Sequence, residues 1–299
     1  MESPIVELDL PGWGQAEPHA EWTRAVESGK VLLFPRLAFE LEPDERALLR
    51  EDMLAPGSRN VSLGADGVLK GAGGSAQEQA RLAAMVGRFR AQALALVDGL
   101  FPEYRGALRV APTSFRPRCV ETRRQSVRAD DKRLHVDAFP TRPNYGERIL
   151  RVFANVNPDG APRVWRVGAD FESVARQFLP RAKPYSRWQA KALQALHVTK
   201  SLRSEYDHLM LQLHDLMKRD ETYQTQGTQW RAPFPAGSCW VCYSDAAVHA
   251  VMSGQYMMEQ TLHLPPGREV NPAASPLQIL TRLVGRPLVG VEAGAGKLS

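Results

Sequence analysis

His135 and Asp137 stand two residues apart in the stretch RLHVDAFP, residues 133–140. Turn formers flank it, and Leu134, Val136 and Phe139 suit an extended chain. In a strand, residues i and i+2 share a face with Cα atoms roughly 6.5–7 Å apart, so both side chains reach one ion. In a helix the same spacing turns them about 200° apart. The stretch therefore reads as a strand carrying two candidate metal ligands. Two histidines and one carboxylate on one face, with positions left open, are the ligand set of non-haem Fe(II) oxygenases. The pair asks for one more histidine.

Of the seven histidines, His249 in SDAAVHAVMSG is the best third ligand, because it leads an apolar run with strand character. The plain alternative for it is a buried core histidine. His19 lies in a polar N-terminal loop, His197 and His208 read as surface residues of a helix, and His263 is left open. Asp245, just before His249, reads as a turn residue rather than a partner of the site. His214 falls at the margin of an apolar helical stripe. There it either turns toward the site to carry a proton or is a boundary histidine with no role.

Oxygenases of this kind commonly use 2-oxoglutarate, whose distal carboxylate needs a buried cation, and a guanidinium suits it. The strand after His249, QYMMEQTLHL, offers none. Other arginines could stand in. Arg151 interrupts the apolar run ILRVFANV, where an unpartnered charge is costly. Arg116 sits in SFRPR, and Arg163 and Trp165 share one face of RVWRVG. Each arginine has the alternative of a surface charge or a structural ion pair.

These residues need a scaffold. Residues 29–37 read as a strand, with Pro35 hinting at an edge or bulge, 43–54 as a helix, and 77–101 as a long amphipathic helix. The glycine-rich segment 62–76 contains GAGGSA but lacks the preceding strand and following acidic residue of a dinucleotide-binding turn, so it reads as a loop. Short β-rich runs follow around residues 109–121, 133–140, 149–158 and 163–168, then a helical stretch from about 188 to 218, two more β-rich runs, and a last short helix before a tail. Strands grouped late, with helices before and between, argue for an antiparallel β core dressed with helices rather than alternating βαβ units.

Composition sets the outer limits. At 299 residues, 43% hydrophobic and 24% charged, the chain is ordinary globular protein, and a net charge of +5 favours anionic partners. Three cysteines are too few for a disulfide scaffold. Cys239 and Cys242 have redox-motif spacing, but on a strand they point to opposite faces, and no second pair completes a zinc site. The N-terminus lacks a basic segment followed by an apolar run, and no stretch is long and apolar enough to span a bilayer, so a cytoplasmic protein is expected.

The runs TSFRPR, RLHVDAFPTRPNYGERILRVFANVNP, RVWRVG and FPAGSCWVCYSDAAVHAVMSGQYMMEQT together resemble the Kdo 3-hydroxylase family of Gram-negative bacteria, over about residues 29–265. The resemblance implies an α+β protein with a double-stranded β-helix (jelly-roll) core and flanking helices, expected as one domain over 1–285 with a loose tail over 286–299. It implies an Fe(II)/2-oxoglutarate-dependent dioxygenase that uses O2 to hydroxylate C3 of 3-deoxy-D-manno-oct-2-ulosonic acid (Kdo) on Kdo-lipid A, giving Ko, in lipopolysaccharide biosynthesis. Carried over residue by residue, His135, Asp137 and His249 match the iron ligands. Arg116, Arg151, Arg163 and Trp165 match the 2-oxoglutarate pocket, and His214 matches a histidine implicated in catalysis. The missing arginine after the distal histidine is then a family trait. The implied substrate places the protein peripherally at the cytoplasmic face of the inner membrane, where its positive charge is attracted to anionic lipid, and no nucleic-acid partner is expected. The alternatives are the same chemistry on another lipid or small metabolite, or a non-catalytic jelly roll that binds an anionic sugar.

Overall fold

Strands dominate the middle and end of the chain. The computed structural model describes residues 2–123 and 125–290. Its elements run β1 (Ile5–Glu7), α1 (Ala20–Glu27), β2 (Val31–Phe34), β3 (Val61–Leu63), β4 (Leu69–Lys70), α2 (Ala76–Leu100), β5 (Arg109–Arg116), β6 (Arg148–Asn155), β7 (Arg163–Gly168), α3 (Phe171–Phe178), α4 (Arg187–Ala195), α5 (Glu205–Arg219), α6 (Glu221–Gln226), β8 (Gln229–Phe234), β9 (Cys239–Tyr243), β10 (His249–Ser253), β11 (Met257–Leu264) and α7 (Pro276–Val284). A large sheet in the order β1-β2-β9-β6-β11-β5-β3-β4 faces a small one in the order β10-β7-β8. All pairings are antiparallel except β1 with β2. This is the expected jelly-roll core with flanking helices.

Alternation along each strand divides the side chains between two cores. On β9, Cys239, Val241 and Tyr243 join the outer core, while Trp240 and Cys242 join the core between the sheets. The outer core is covered by α2, whose buried Leu82, Met85, Val86, Phe89, Ala93, Leu96, Val97 and Leu100 recur at helical spacing. Ser75 and Glu78 cap that helix reciprocally. Between the sheets, Trp240 stacks on Phe234 at 4.4 Å and on Phe153 at 5.3 Å, and Trp165 meets all three edge-on.

Several expectations change. The helix over 43–54 is two short 3-10 turns, Arg46–Leu48 and Glu51–Met53, because Arg50 between them is extended. The backbone of Gly73 docks there, its N–H donating to the Met53 carbonyl, and a Cβ on Gly73 would lie 2.3 Å from the Asp52 carbonyl oxygen. The glycine-rich stretch contains the β3–β4 hairpin. The helical stretch 188–218 breaks into α4 and α5, and Ser204 with Asp207 forms the capping box that starts α5. Pro35 follows β2 without marking an edge, since β2 lies between β1 and β9. The expected tail is docked at its beginning, where Leu288 is buried and its carbonyl accepts from the Tyr206 N–H. Residues 291–299 lie outside the described residues.

Asp245 is more than a turn residue. Its carboxylate is fully buried and accepts from Arg148 Nε at 2.7 Å and from the Ile149 N–H at 3.1 Å. Arg148 is itself fully buried and lies over the Tyr243 ring at 4.1 Å. Asp245→Ala would strand a buried guanidinium and is expected to cost about 3–5 kcal/mol of stability, read from urea unfolding.

Candidate active site

The HxD segment belongs to the edge of the small sheet. His135 N–H donates to the His249 carbonyl at 3.0 Å and the His249 N–H returns the bond at 2.9 Å. The expected strand over 133–140 shrinks to this single bridge. Past it the chain leaves β10, and the Asp137 N–H bonds the Ser244 carbonyl at 2.8 Å instead. The extended backbone still points both side chains inward, where they meet His249, the first residue of β10. One ligand atom from each of His135, Asp137 and His249 lies within 4.8 Å of the others.

The tautomers are set by the backbone. His135 Nδ1 lies 2.7 Å from the Arg133 carbonyl and His249 Nδ1 lies 2.8 Å from the Ala247 carbonyl. Carbonyls only accept, so each Nδ1 carries the proton and each Nε2 lone pair is free for a metal. Burial holds both imidazoles below the ordinary histidine pKa, and for His135 the neighbouring His249 adds to the effect. Burial alone would raise the Asp137 carboxyl, but the Arg151 guanidinium beside it holds it below the carboxylate range. Two neutral nitrogens and one ionised oxygen, on one face, fit a divalent iron. Trp165 stacks on His249 at 4.9 Å and 22°, fixing the imidazole plane.

The arginines differ from one another. Arg151 Nη2 meets Asp137 at 2.9 Å and its Nη1 meets Glu259 at 2.8 Å. Arg116 also meets Glu259, at 2.8 Å. Strand register explains this. Arg116 lies opposite Met257 and Arg151 opposite Thr261, so Glu259 on β11 is diagonal to both on the inner face. Burial would lower Arg151, yet Asp137 and Glu259 carry its pKa above the ordinary value. Arg163 is 2% exposed, forms no ion pair among the described residues, and has Nε and Nη1 without hydrogen-bond partners. Burial, then Arg123 and Arg116, push it down to about 9. A buried guanidinium with free donors beside Trp165, whose Nε1–H is also unpartnered, is suited to an anion. Arg116 and Arg123, whose charges act on Arg163, line a cleft of about 780 Å³ together with Arg59, Arg118 and Asp131.

His214 reaches the site from α5. Its ring meets His135 edge-on at 5.5 Å, and its Nδ1 lies 2.9 Å from the Asp215 carboxylate. Sequence reasoning missed Glu259 and Arg123. Glu259 sits in an unremarkable strand pattern, and Arg123 lies in a loop whose only signal is its run of charge.

His263 gives a pH test. It faces the inside of β11, and its Nδ1 is 3.7 Å from Glu147, too long for a hydrogen bond. Glu147 is already held by Arg109. Burial, then Arg109 and Arg151, lower His263 to about 4. Unfolded, it protonates near 6.5. Its neutral form therefore supports the fold fully above pH 6.5, and that support is lost as pH falls toward 4, on the order of 2–3 kcal/mol. His263→Gln is expected to flatten the fall in Tm across that window.

Residues 12–287 match the family model described as 3-deoxy-D-manno-oct-2-ulosonic acid (Kdo) hydroxylase. No curated protein matches. Crystal structures of the Kdo hydroxylase KdoO, a non-haem Fe(II) alpha-ketoglutarate-dependent dioxygenase, are similar over nearly the whole length. Its complex with alpha-ketoglutarate and Fe(III) is 39% identical with a TM-score of 0.91, covering 99% of this chain and 100% of that one. Its cobalt(II) complex is 40% identical with a TM-score of 0.93 and the same coverage. Its complex with succinate and Fe(III) is 40% identical with a TM-score of 0.91, again at 99% and 100%.

Proposed function

This chain belongs to the Kdo hydroxylase family, and on that premise we propose that it hydroxylates C3 of Kdo carried on a lipid A precursor, giving Ko. It is an Fe(II)/2-oxoglutarate-dependent dioxygenase acting on a Kdo-containing substrate, with a role in lipopolysaccharide biosynthesis. Bound iron and 2-oxoglutarate supply the oxidising power, with O2 consumed, succinate and CO2 released and one oxygen atom left on the sugar. The observation that carries the site assignment is the pair of Nδ1–H to carbonyl bonds, which leaves two Nε2 lone pairs beside an ionised Asp137.

In this reading His135, Asp137 and His249 hold the iron. Arg151 keeps Asp137 charged and aimed before the metal arrives. Arg163 receives the distal carboxylate of 2-oxoglutarate, with Trp165 as a wall. Arg116 and Arg151 flank the cosubstrate while sharing Glu259, so the pocket stays positive without its guanidiniums repelling one another apart. The Trp165, Phe153, Trp240 and Phe234 cluster closes the inner end and keeps water out.

His214 holds or moves a proton at Nε2, its Nδ1 being engaged by Asp215. His214→Gln is expected to lower kcat on the order of 10²-fold with the 2-oxoglutarate KM little changed. Unchanged kcat would make it a boundary histidine.

The deciding experiment is mass spectrometry of Kdo-lipid A after incubation with the protein, Fe(II), 2-oxoglutarate and O2. One added oxygen on the sugar, matched by succinate, is the expected product, and turnover of 2-oxoglutarate with no gain on the sugar would sink the substrate assignment. We place the reaction at the cytoplasmic face of the inner membrane. Among the described residues no helix is long and apolar enough to cross a membrane, so the protein would meet its lipid peripherally.

A further inference from the structure

Between Glu172 and Glu205 the chain has seven arginines and lysines and no acidic residue. Arg176 pairs with Glu172 and Arg181 with Asp220. Lys183, Arg187, Lys191 and Lys200 form no ion pair among the described residues and are all exposed. The same segment carries α4, of which only Ala190 is buried. Trp188 is 84% exposed and Leu196 73%, the two most exposed large apolar side chains described, and Val198 lies close by at 47%.

At about 100° per residue, Ala192 and Ala195 fall on the side of Trp188, with Leu196 at its margin, and Ala190 falls opposite. The outermost stripe of α4 is therefore apolar, the reverse of an ordinary surface helix. Arg187 and Lys191 flank that stripe. A helix lying flat with apolar side chains outward and cations beside them has the pattern of an interfacial membrane helix.

We infer that α4 and the turn after it, through Trp188 and Leu196 with Lys183, Arg187, Lys191 and Lys200, dock the protein on an anionic lipid bilayer. The inference rests on the reading that the sugar is carried on a lipid. A second copy of the chain is disfavoured as the occupant, because a symmetric contact would set this cationic face against itself. The last helix, α7, is a weaker candidate, since its apolar residues Ile279 and Leu280 are spent on the core.

The patch is tied to the site. Lys200 N–H donates to the Thr141 carbonyl at 2.9 Å and Arg203 Nη2 to the Pro140 carbonyl at 2.7 Å, four and three residues past Asp137. Tyr185 Oη donates to the Arg203 carbonyl at 2.8 Å. From Glu205 at the start of α5, nine residues lead to His214, a rise of roughly 14 Å. A bilayer under α4 would thus present headgroups beside the segment that carries Asp137.

The test sediments the full-length protein with vesicles of phosphatidylcholine alone or mixed with phosphatidylglycerol. Binding is expected on the anionic vesicles and to fall about tenfold in the double variant Trp188→Ser, Leu196→Ser, and likewise in Arg187→Gln, Lys191→Gln. Turnover of Kdo-lipid A in vesicles should fall with it, while turnover of the same lipid dispersed in detergent stays at the parent value. Equal vesicle binding by parent and variants, or binding to an acidic polymer but not to anionic vesicles, overturns the inference. Vesicle binding that depends on Trp188, with no hydroxylation of Kdo lipid in either format, leaves the docking face standing and removes the substrate assignment instead.

Discussion

Asp137→Ala is expected to abolish hydroxylation and to weaken binding of cobalt(II), used as a spectroscopic stand-in for iron, by more than the ~10–100-fold lost when an outer partner of a metal ligand is removed. The carboxylate is the sole anionic donor of the set, and the two imidazoles left behind are neutral. The fold should survive the change, because Arg151 keeps Glu259 as a partner and is not left as a lone buried charge. Thermal unfolding separates the two effects, with lost cobalt binding and a nearly unchanged Tm as the expected signature. A variant that binds metal and turns over like the parent would remove the iron assignment altogether.

Arg163→Met is the second large effect, and its two readouts should move in opposite directions. If Arg163 holds a carboxylate of 2-oxoglutarate, losing that buried pair costs about 3 kcal/mol and raises the 2-oxoglutarate KM by more than about 10²-fold. Without cosubstrate the same guanidinium is buried with two unpartnered nitrogens. Replacing it with a side chain of similar length should then raise the stability of the cosubstrate-free protein by about 1–3 kcal/mol. A structural arginine would give the reverse, a lower Tm and an unchanged KM. Arg151→Met is the contrast, since Arg151 is paired to two carboxylates and its loss should destabilise the protein directly.

The candidate ligands were legible because residue type and spacing carry most of what a metal needs. His135 and Asp137 advertise themselves locally, and His249 stands at the head of a β-rich run. Arg163 and Trp165 share a face by simple strand alternation. What could not be read is whatever depends on register between distant strands. Glu259 bridges Arg116 and Arg151 only because β11 lies between β5 and β6 at one particular offset. Local pattern also failed where tertiary contacts overrode it. The run over 43–54 has helical character, but docking of Gly73 holds it as two short turns. The split between α4 and α5 was visible in the Ser204 and Asp207 cap, yet the long apolar stripe masked it. Arg148 and Asp245 show the same limit, since nothing in either neighbourhood announces the other across about a hundred residues.

The two faces of β9 have a further consequence. Cys239 looks into the outer core and Cys242 into the space between the sheets, and burial raises the pKa of both thiols. Neither is a ready thiolate, and the sheet itself stands between them, so oxidants made near the iron find no dithiol to close. Their spacing suggests a redox couple, but the strand keeps them chemically silent. These two strand cysteines are therefore shielded from the thiol balance of the surroundings and carry no information about compartment.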